Sequence, residues 1–169
     1  MRGAAVLLSA AVATPLILAV ALPSNLFGSA PSDRHWQAQP HDIRIVDGET
    51  LGLGDRVVRL AGIAAPARGE ACQGRAGDAY DCGGAAAAAL TRLVSGRPVT
   101  CRIVGRDGFG RGLGECEAAG TDLGRTLVGS GYAVATAAPL RAAQDAARAG
   151  AQGLWAYPAG APASWRNRD

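Results

Sequence analysis

Ile43-Arg44-Ile45-Val46-Asp47-Gly48-Glu49-Thr50-Leu51-Gly52-Leu53-Gly54-Asp55-Arg56-Val57-Val58-Arg59-Leu60 decides the fold. Ile43–Val46, Thr50–Leu53 and Val57–Leu60 read as strands. Asp47-Gly48 and Gly54-Asp55 read as the tight turns between them. Three short strands in so few residues make an antiparallel meander. A loop rich in Ala, Pro, Gly and Arg follows, from Ala61 to Gly84. Ala85–Val94 reads as a helix with Ala86, Leu90, Leu93 and Val94 on one face and Gly96 as its stop. Val99–Val104 and Leu113–Ala118 are two further strand-like runs around the loop Gly105–Gly112. A short helix spans about Asp122–Val128 and ends at Gly129-Ser130-Gly131. Pro139 starts another helix, which stops at Gly150. Trp155, Tyr157 and Trp165 fall in an irregular tail expected to fold back over the core. Three strands, a helix, two strands and then helices is the layout of an α+β, mainly β fold. Its expected form is a five-stranded OB-type barrel with appended helices.

Composition bounds the core and the partners. The 169 residues include 37 Ala and 24 Gly, so the 49% hydrophobic content overstates the large apolar residues. With eight aromatics the core must be compact and built from small residues. All 17 basic residues are Arg, set against 14 acids. A net charge of +3 excludes a strongly electrostatic nucleic-acid coat, and it is not extreme enough for disorder. His35 and His41 are few and early, which argues against a His-rich metal site. The Cys show no C-x-x-C pair, which excludes a zinc ribbon or a thioredoxin-type motif.

After Arg2 there is no charge before Asp33, and Ala4–Leu22 is strongly apolar. Residues 1–22 therefore read as an export signal peptide, or as an N-terminal membrane anchor if uncut. Arg2 on the inner side puts the rest of the chain outside the cytoplasm, periplasmic or extracellular. Residues 23–40, rich in Pro, Ser, Gln and Asn, read as a linker, which leaves residues 41–169 as the folded domain. In an oxidising compartment four Cys read as two disulfides. Three pairings exist. If the two later strands pair with Cys101 opposite Cys116, Arg102 falls opposite Glu115, an opposite-charge pair that supports this register. That leaves Cys72 with Cys82.

Several segments, in order, resemble one family. Val46-Asp47-Gly48-Glu49-Thr50 resembles the strand-turn motif of the thermonucleases, the staphylococcal nuclease-like proteins. Arg59-Leu60-Ala61-Gly62-Ile63-Ala64-Ala65-Pro66 resembles the next motif, and Asp107-Gly108-Phe109-Gly110-Arg111 the third. Further matches are Leu127-Val128 with Gly131-Tyr132-Ala133, Ala146-Ala147-Arg148 leading to Gly153-Leu154-Trp155, and Trp165-Arg166. The four-Cys pattern resembles the exported bacterial branch of the family. The resemblance implies the OB fold and hydrolysis of phosphodiester bonds in DNA and RNA with one Ca2+. In such proteins two Asp and a backbone carbonyl hold the calcium, a Glu serves as base, and two Arg stabilise phosphoryl charge.

Carried over residue by residue, Arg59 and Arg111 stand at the two Arg positions. Glu49 stands where the first calcium-binding Asp belongs, one methylene too long. Ala64 stands at the second Asp position and Ala67 at the Glu position. Ala65 supplies only a carbonyl. Phe109 fits the aromatic position, and Asp47 and Asp107 keep the supporting acids. Calcium wants six to eight oxygens, several of them charged. Here the metal set reduces to Glu49 with Asp47 nearby, and the base is missing, which alone removes about 10²–10⁴ in rate. Glu70, three residues beyond Ala67, reads as a solvated loop charge.

The expectation is a catalytically impaired domain that binds an anionic ligand, nucleic acid or phosphate, through Arg59 and Arg111. Two rivals remain: an active metal-dependent phosphodiesterase rewired through Glu49, Asp47 and Glu70, and an envelope scaffold or interaction protein.

Overall fold

The Asp47-Gly48 and Gly54-Asp55 turns divide residues 43–60 into the expected antiparallel meander. The computed structural model describes residues 34–157 except residue 75. In chain order its strands are β1 His35–Ala38, β2 Ile43–Ile45, β3 Thr50–Leu53, β4 Arg56–Leu60, β5 Ile63–Ala64, β6 Ala71–Gln73, β7 Ala79–Asp81, β8 Val99–Arg106, β9 Gly112–Ala118, β10 Thr121–Asp122 and β11 Val134–Ala135. The α-helices are α1 Cys82–Val94, α2 Leu123–Gly129 and α3 Arg141–Ala149. The principal sheet runs β1-β8-β9-β4-β3-β2, with β10 added on β9. Neighbours are antiparallel except β4 and β9, which run parallel with Arg59 opposite Leu113. The fold is α+β, mainly β, and the five expected strands are β2, β3, β4, β8 and β9.

Register follows from side-chain chemistry. Cys101 lies opposite Cys116 and Arg102 opposite Glu115. The expected disulfides form, Cys101–Cys116 across this pair and Cys72–Cys82 across the base of the β6–β7 hairpin. Two such bridges suit an oxidising compartment outside the cytoplasm. Val104 is an extra residue between the Ile103–Gly114 and Gly105–Leu113 pairs. A bulge of this kind strengthens strand twist and re-aims the loop that follows, here residues 107–111. Gly112 has a packing reason too: a Cβ there would come within 2.7 Å of the Trp36 ring.

The core lies between the sheet and the helices. Leu51, Leu53, Val58, Leu60 and Val99 meet Ala86, Leu90, Leu127 and Val128. Each such Leu or Val contributes about 1.5–3 kcal/mol on burial. Alanine on α1 lets the helix approach closely, which is how a chain with few large apolar residues closes its interior. A second cluster joins Ala64, Cys82, Val134 and Leu154, with Tyr80 and Trp155 against it. Leu154 and Trp155 thus return over the fold, as expected of the tail, while Trp165 lies outside the described residues.

Several boundaries differ from expectation. The linker expected over residues 23–40 overruns into the sheet, because His35–Ala38 pairs with β8. Trp36 and Ala38 are buried there and alternate with exposed His35 and Gln37. The segment Ala61–Gly84, expected as loop, contains β5 and the β6–β7 hairpin. Helix α1 starts at Cys82 rather than Ala85, because the Asp81 carboxylate accepts the Gly84 N–H at 2.7 Å and caps it. Pro139 falls in a single 3₁₀ turn, Ala138–Leu140, and α3 begins after it. Residues 1–33 lie outside the described residues, and with them the signal or anchor expected over residues 1–22. Among the described residues no helix is long and apolar enough to cross a membrane.

Candidate functional site

The Asp47-Gly48 turn and β4 bring the family-matched residues together. Asp47 Oδ1 accepts the Glu49 N–H at 2.9 Å and shapes the turn. A Cβ on Gly48 would lie 2.6 Å from the Ala86 Cβ and 3.0 Å from the Ala65 Cβ, so only Gly lets the turn press onto α1 and the 64–67 loop. The Leu60 N–H donates to the Glu49 carbonyl at 2.8 Å, tying the turn to the end of β4.

These constraints carry the Glu49 side chain inward. Arg59 Nε donates to Glu49 Oε1 at 2.8 Å, and the Ala65 N–H donates to Oε2 at 2.8 Å. Both partners of the ion pair are largely buried, with side chains 10% and 14% exposed for Arg59 and Glu49. Burial pushes the Glu49 carboxyl above the usual glutamate range, against the Ala65 N–H and the Arg59 guanidinium, which favour its ionised form. Glu49 therefore clasps three elements: the turn before β3, strand β4, and the loop after β5.

Arg111 sits in a different setting. Arg111 Nε donates to Asp107 Oδ2 at 2.6 Å, and Asp107 Oδ1 accepts the N–H groups of Phe109 and Arg111. Burial alone would raise the Asp107 carboxyl, but Arg111 and these two N–H groups outweigh it and hold it below the usual aspartate range. The Arg111 guanidinium lies 5.3 Å from the Phe109 ring centroid. Arg111 lines a groove together with Arg56, Arg106 and Trp36, and Arg59 is not part of that lining. The two family-matched arginines are thus each held by their own acid, Arg59 inside and Arg111 at a groove.

The residues present do not fit a calcium ion. Glu49 already accepts an N–H on each carboxylate oxygen. Ala64 is 1% exposed and packed with Cys82, Val134 and Leu154, so the position where the resemblance requires a carboxylate is apolar interior. Ala67 donates its N–H to Glu70 Oε2 at 2.9 Å in an exposed hydrogen bond, so the Glu70 carboxylate, expected as a solvated loop charge, also braces its own loop. Among the described residues no three His, Cys, Asp or Glu side chains converge as a metal site. Nothing in the sequence singles out Trp36, Arg56 or Arg106. Trp36 sits in a stretch rich in Gln and Pro, and the two arginines are ordinary strand-end charges until the sheet gathers them.

Comparison with known proteins agrees with this architecture. The family described as staphylococcal nuclease homologue matches residues 57–157. A relative, the succinoglycan biosynthesis protein ExoI of Rhizobium meliloti (strain 1021), is 35% identical over 117 residues. The aligned part covers 66% of this chain and 61% of that protein.

Proposed function

Because this chain belongs to the staphylococcal nuclease family, we propose that it is a hydrolysis-deficient member that works outside the cytoplasm and binds a phosphate-bearing polyanion through its arginines. The observation that carries this reading is the Glu49 clasp beside the buried Ala64. A family member that hydrolyses phosphodiesters needs charged oxygens free for calcium and a base for water. This chain spends its one acid at the matched metal position on Arg59 and a backbone N–H. Water activation then has neither metal nor base. What remains is guanidinium chemistry, which suits phosphate oxygens bidentately.

In this reading Arg111 contacts ligand, because it lies at the groove with a third of its side chain exposed. Arg59, largely buried, holds the loop that shapes the site. The test is binding of a single-stranded oligonucleotide to the full-length chain in chelator, with Arg111→Ala and Arg59→Ala beside it. Arg111→Ala should weaken binding and reduce its salt dependence. Equal binding by Arg111→Ala and wild type would overturn the reading.

The likeness to a succinoglycan biosynthesis protein favours a second reading, in which the fold serves as an envelope scaffold in succinoglycan biosynthesis. That role would need no polyanion affinity, and crosslinking in cells would recover an envelope protein bound to the domain.

A further inference from the structure

The 107–111 loop carries a side chain that the domain itself leaves uncovered. Phe109 is 87% exposed at the loop tip. Its backbone is nonetheless fixed. Asp107 Oδ1 accepts the N–H groups of Phe109 and Arg111, and Arg106 donates from Nη1 to the Gly110 carbonyl at 3.1 Å. The ring is therefore presented as a preorganised finger with Arg106 and Arg111 beside it, and little freedom is lost when it docks. An aromatic side chain removes about 150–250 Å² from water when it is covered, so a partner surface gains most by taking this one.

A pocket that the polyanion reading does not use fits this finger. It lies between the end of β4, the middle of β9, the start of α2 and the 3₁₀ turn Ala138–Leu140, and its volume is about 260 Å³. A cavity of roughly 150 Å³ is enough to hold a benzene ring. Leu60, Gly62, Gly124, Pro139 and Leu140 give it apolar and backbone walls. Glycine at 124 keeps it open: a Cβ there would meet nothing nearer than the Ile63 Cγ2 at 3.5 Å, so a larger side chain is accommodated and would fill the space. Glu115 and Asp122 line the same pocket, and Glu117 lines the cavity that adjoins it. Against these three acids stand Arg102, paired with Glu115, and Arg125, which leaves the surface acidic on balance. The loop surface is the opposite. Arg56, Arg106 and Arg111 surround Phe109 in one groove, against Asp107. Finger and pocket thus match in size, in polarity and in sign of charge.

We propose that the Phe109 finger of one copy seats in the pocket between β4, β9 and α2 of a second copy, with Arg106 and Arg111 facing Glu115, Glu117 and Asp122, so that the domain associates head to tail. Within one chain Phe109 lines the groove of Trp36 and Arg56 and not this pocket, so the finger comes from another copy. Finger and pocket are different patches of the same chain, which makes the contact heterologous. Each added copy leaves one finger and one pocket open, and the assembly grows until it closes as a ring or continues as a filament. The inference goes beyond the polyanion reading and stands without it, although both use Arg111.

The test is sedimentation velocity of the full-length, oxidised chain over a range of concentration, beside Phe109→Ala, Gly124→Leu and an equimolar mixture of the two. Residues 1–22 are common to every sample, so any association of their own cancels from the comparison. Wild type should gain mass as its concentration rises to about 100 µM, the range of weak protein–protein contacts, and added salt should reduce the gain. Removing the aromatic anchor in Phe109→Ala, or filling the pocket in Gly124→Leu, should weaken association about tenfold or more. Each variant lacks one half of the contact and keeps the other. The mixture should therefore form a one-to-one complex that neither variant forms alone, and nothing larger. Circular dichroism and melting midpoints establish that each variant is folded. Glu117→Arg, at an exposed strand position, takes the place of Gly124→Leu if that variant is not. Wild type that stays monomeric, association within about twofold of wild type in both folded variants, or a mixture that yields no complex would each overturn the proposal. Pelleting of a monomeric wild type with phosphatidylglycerol vesicles, abolished in Phe109→Ala, would assign the finger to a lipid surface and overturn it as well. Oligonucleotide binding that Arg111→Ala weakens, with no complex in the mixture, would refute this contact and leave the polyanion reading standing.

Discussion

Glu49→Ala should destabilise the fold by about 2–4 kcal/mol, and the structure gives the reasons. The carboxylate is the acceptor for Arg59 Nε and for the Ala65 N–H, both at 2.8 Å. Removing one partner of a buried ion pair costs about 3–5 kcal/mol, because the remaining charge stays in the interior. An orphaned backbone N–H adds about 1–3 kcal/mol. Two effects reduce the sum. Arg59 keeps another interaction, and the Glu49 carboxyl is itself held against its burial, as its raised pKa records. The sign of that shift means that burial of Glu49 favours the fold below the ordinary glutamate pKa and less so as pH rises through the raised value. The assay is urea unfolding of the oxidised, full-length chain at neutral pH, with the slope m compared to confirm that only stability changed. Glu49→Gln keeps the shape and one acceptor oxygen, so it should lose less, about 1–2 kcal/mol. A Glu49→Ala midpoint that converts to less than about 0.5 kcal/mol would refute the clasp, and with it the argument that Glu49 is committed to structure.

Three further outcomes are expected. Asp107→Asn should flatten the acid side of the stability profile: the lowered Asp107 pKa contributes stability above the unfolded value of about 3.8 that is lost as pH falls through the folded value, and melting midpoints across pH 2–6 would show a parallel loss in variant and wild type if this is wrong. Replacing Cys101 and Cys116 together by Ala should cost about 3 kcal/mol, from a bridge that spans 15 residues, and an unchanged urea midpoint would contradict it. Gly83→Ala puts a Cβ 1.8 Å from the Ala67 carbonyl oxygen, so it should displace the 64–70 loop and lower the melting midpoint by on the order of 10 °C, with a wild-type midpoint counting against the packing described.

Much of this architecture is legible in residue order. The Asp-Gly and Gly-Asp turns between short runs rich in Ile, Leu and Val give β2, β3 and β4. Charge complementarity of Arg102 and Glu115 selects the strand register, and the register selects the disulfides. The motif residues Glu49, Arg59, Asp107 and Arg111 can be named in advance, because each sits in a local pattern. Relations between distant segments are not legible in this way. Strand β1 is hidden because a four-residue edge strand with two apolar side chains among His, Gln and Pro carries almost no periodic signal. The hairpin of β6 and β7, with three residues in each strand and the Cys72–Cys82 bridge at its base, is too short to carry a periodic signal. The separate fates of Arg59 and Arg111 depend on which acid reaches each guanidinium, and that is a matter of tertiary distance. Ala64 shows the same limit: its identity says that a carboxylate is missing, but only packing shows that apolar side chains have taken the space.

The central claim is that the acids of this domain serve its structure and not calcium chemistry. Its most direct test is hydrolysis of single-stranded DNA by the purified, oxidised, full-length chain, with calcium and with chelator, beside Glu49→Ala under conditions where both are folded. The account predicts no calcium-dependent cleavage above the background of the variant. Calcium-dependent cleavage by the wild-type chain that disappears in Glu49→Ala would contradict it.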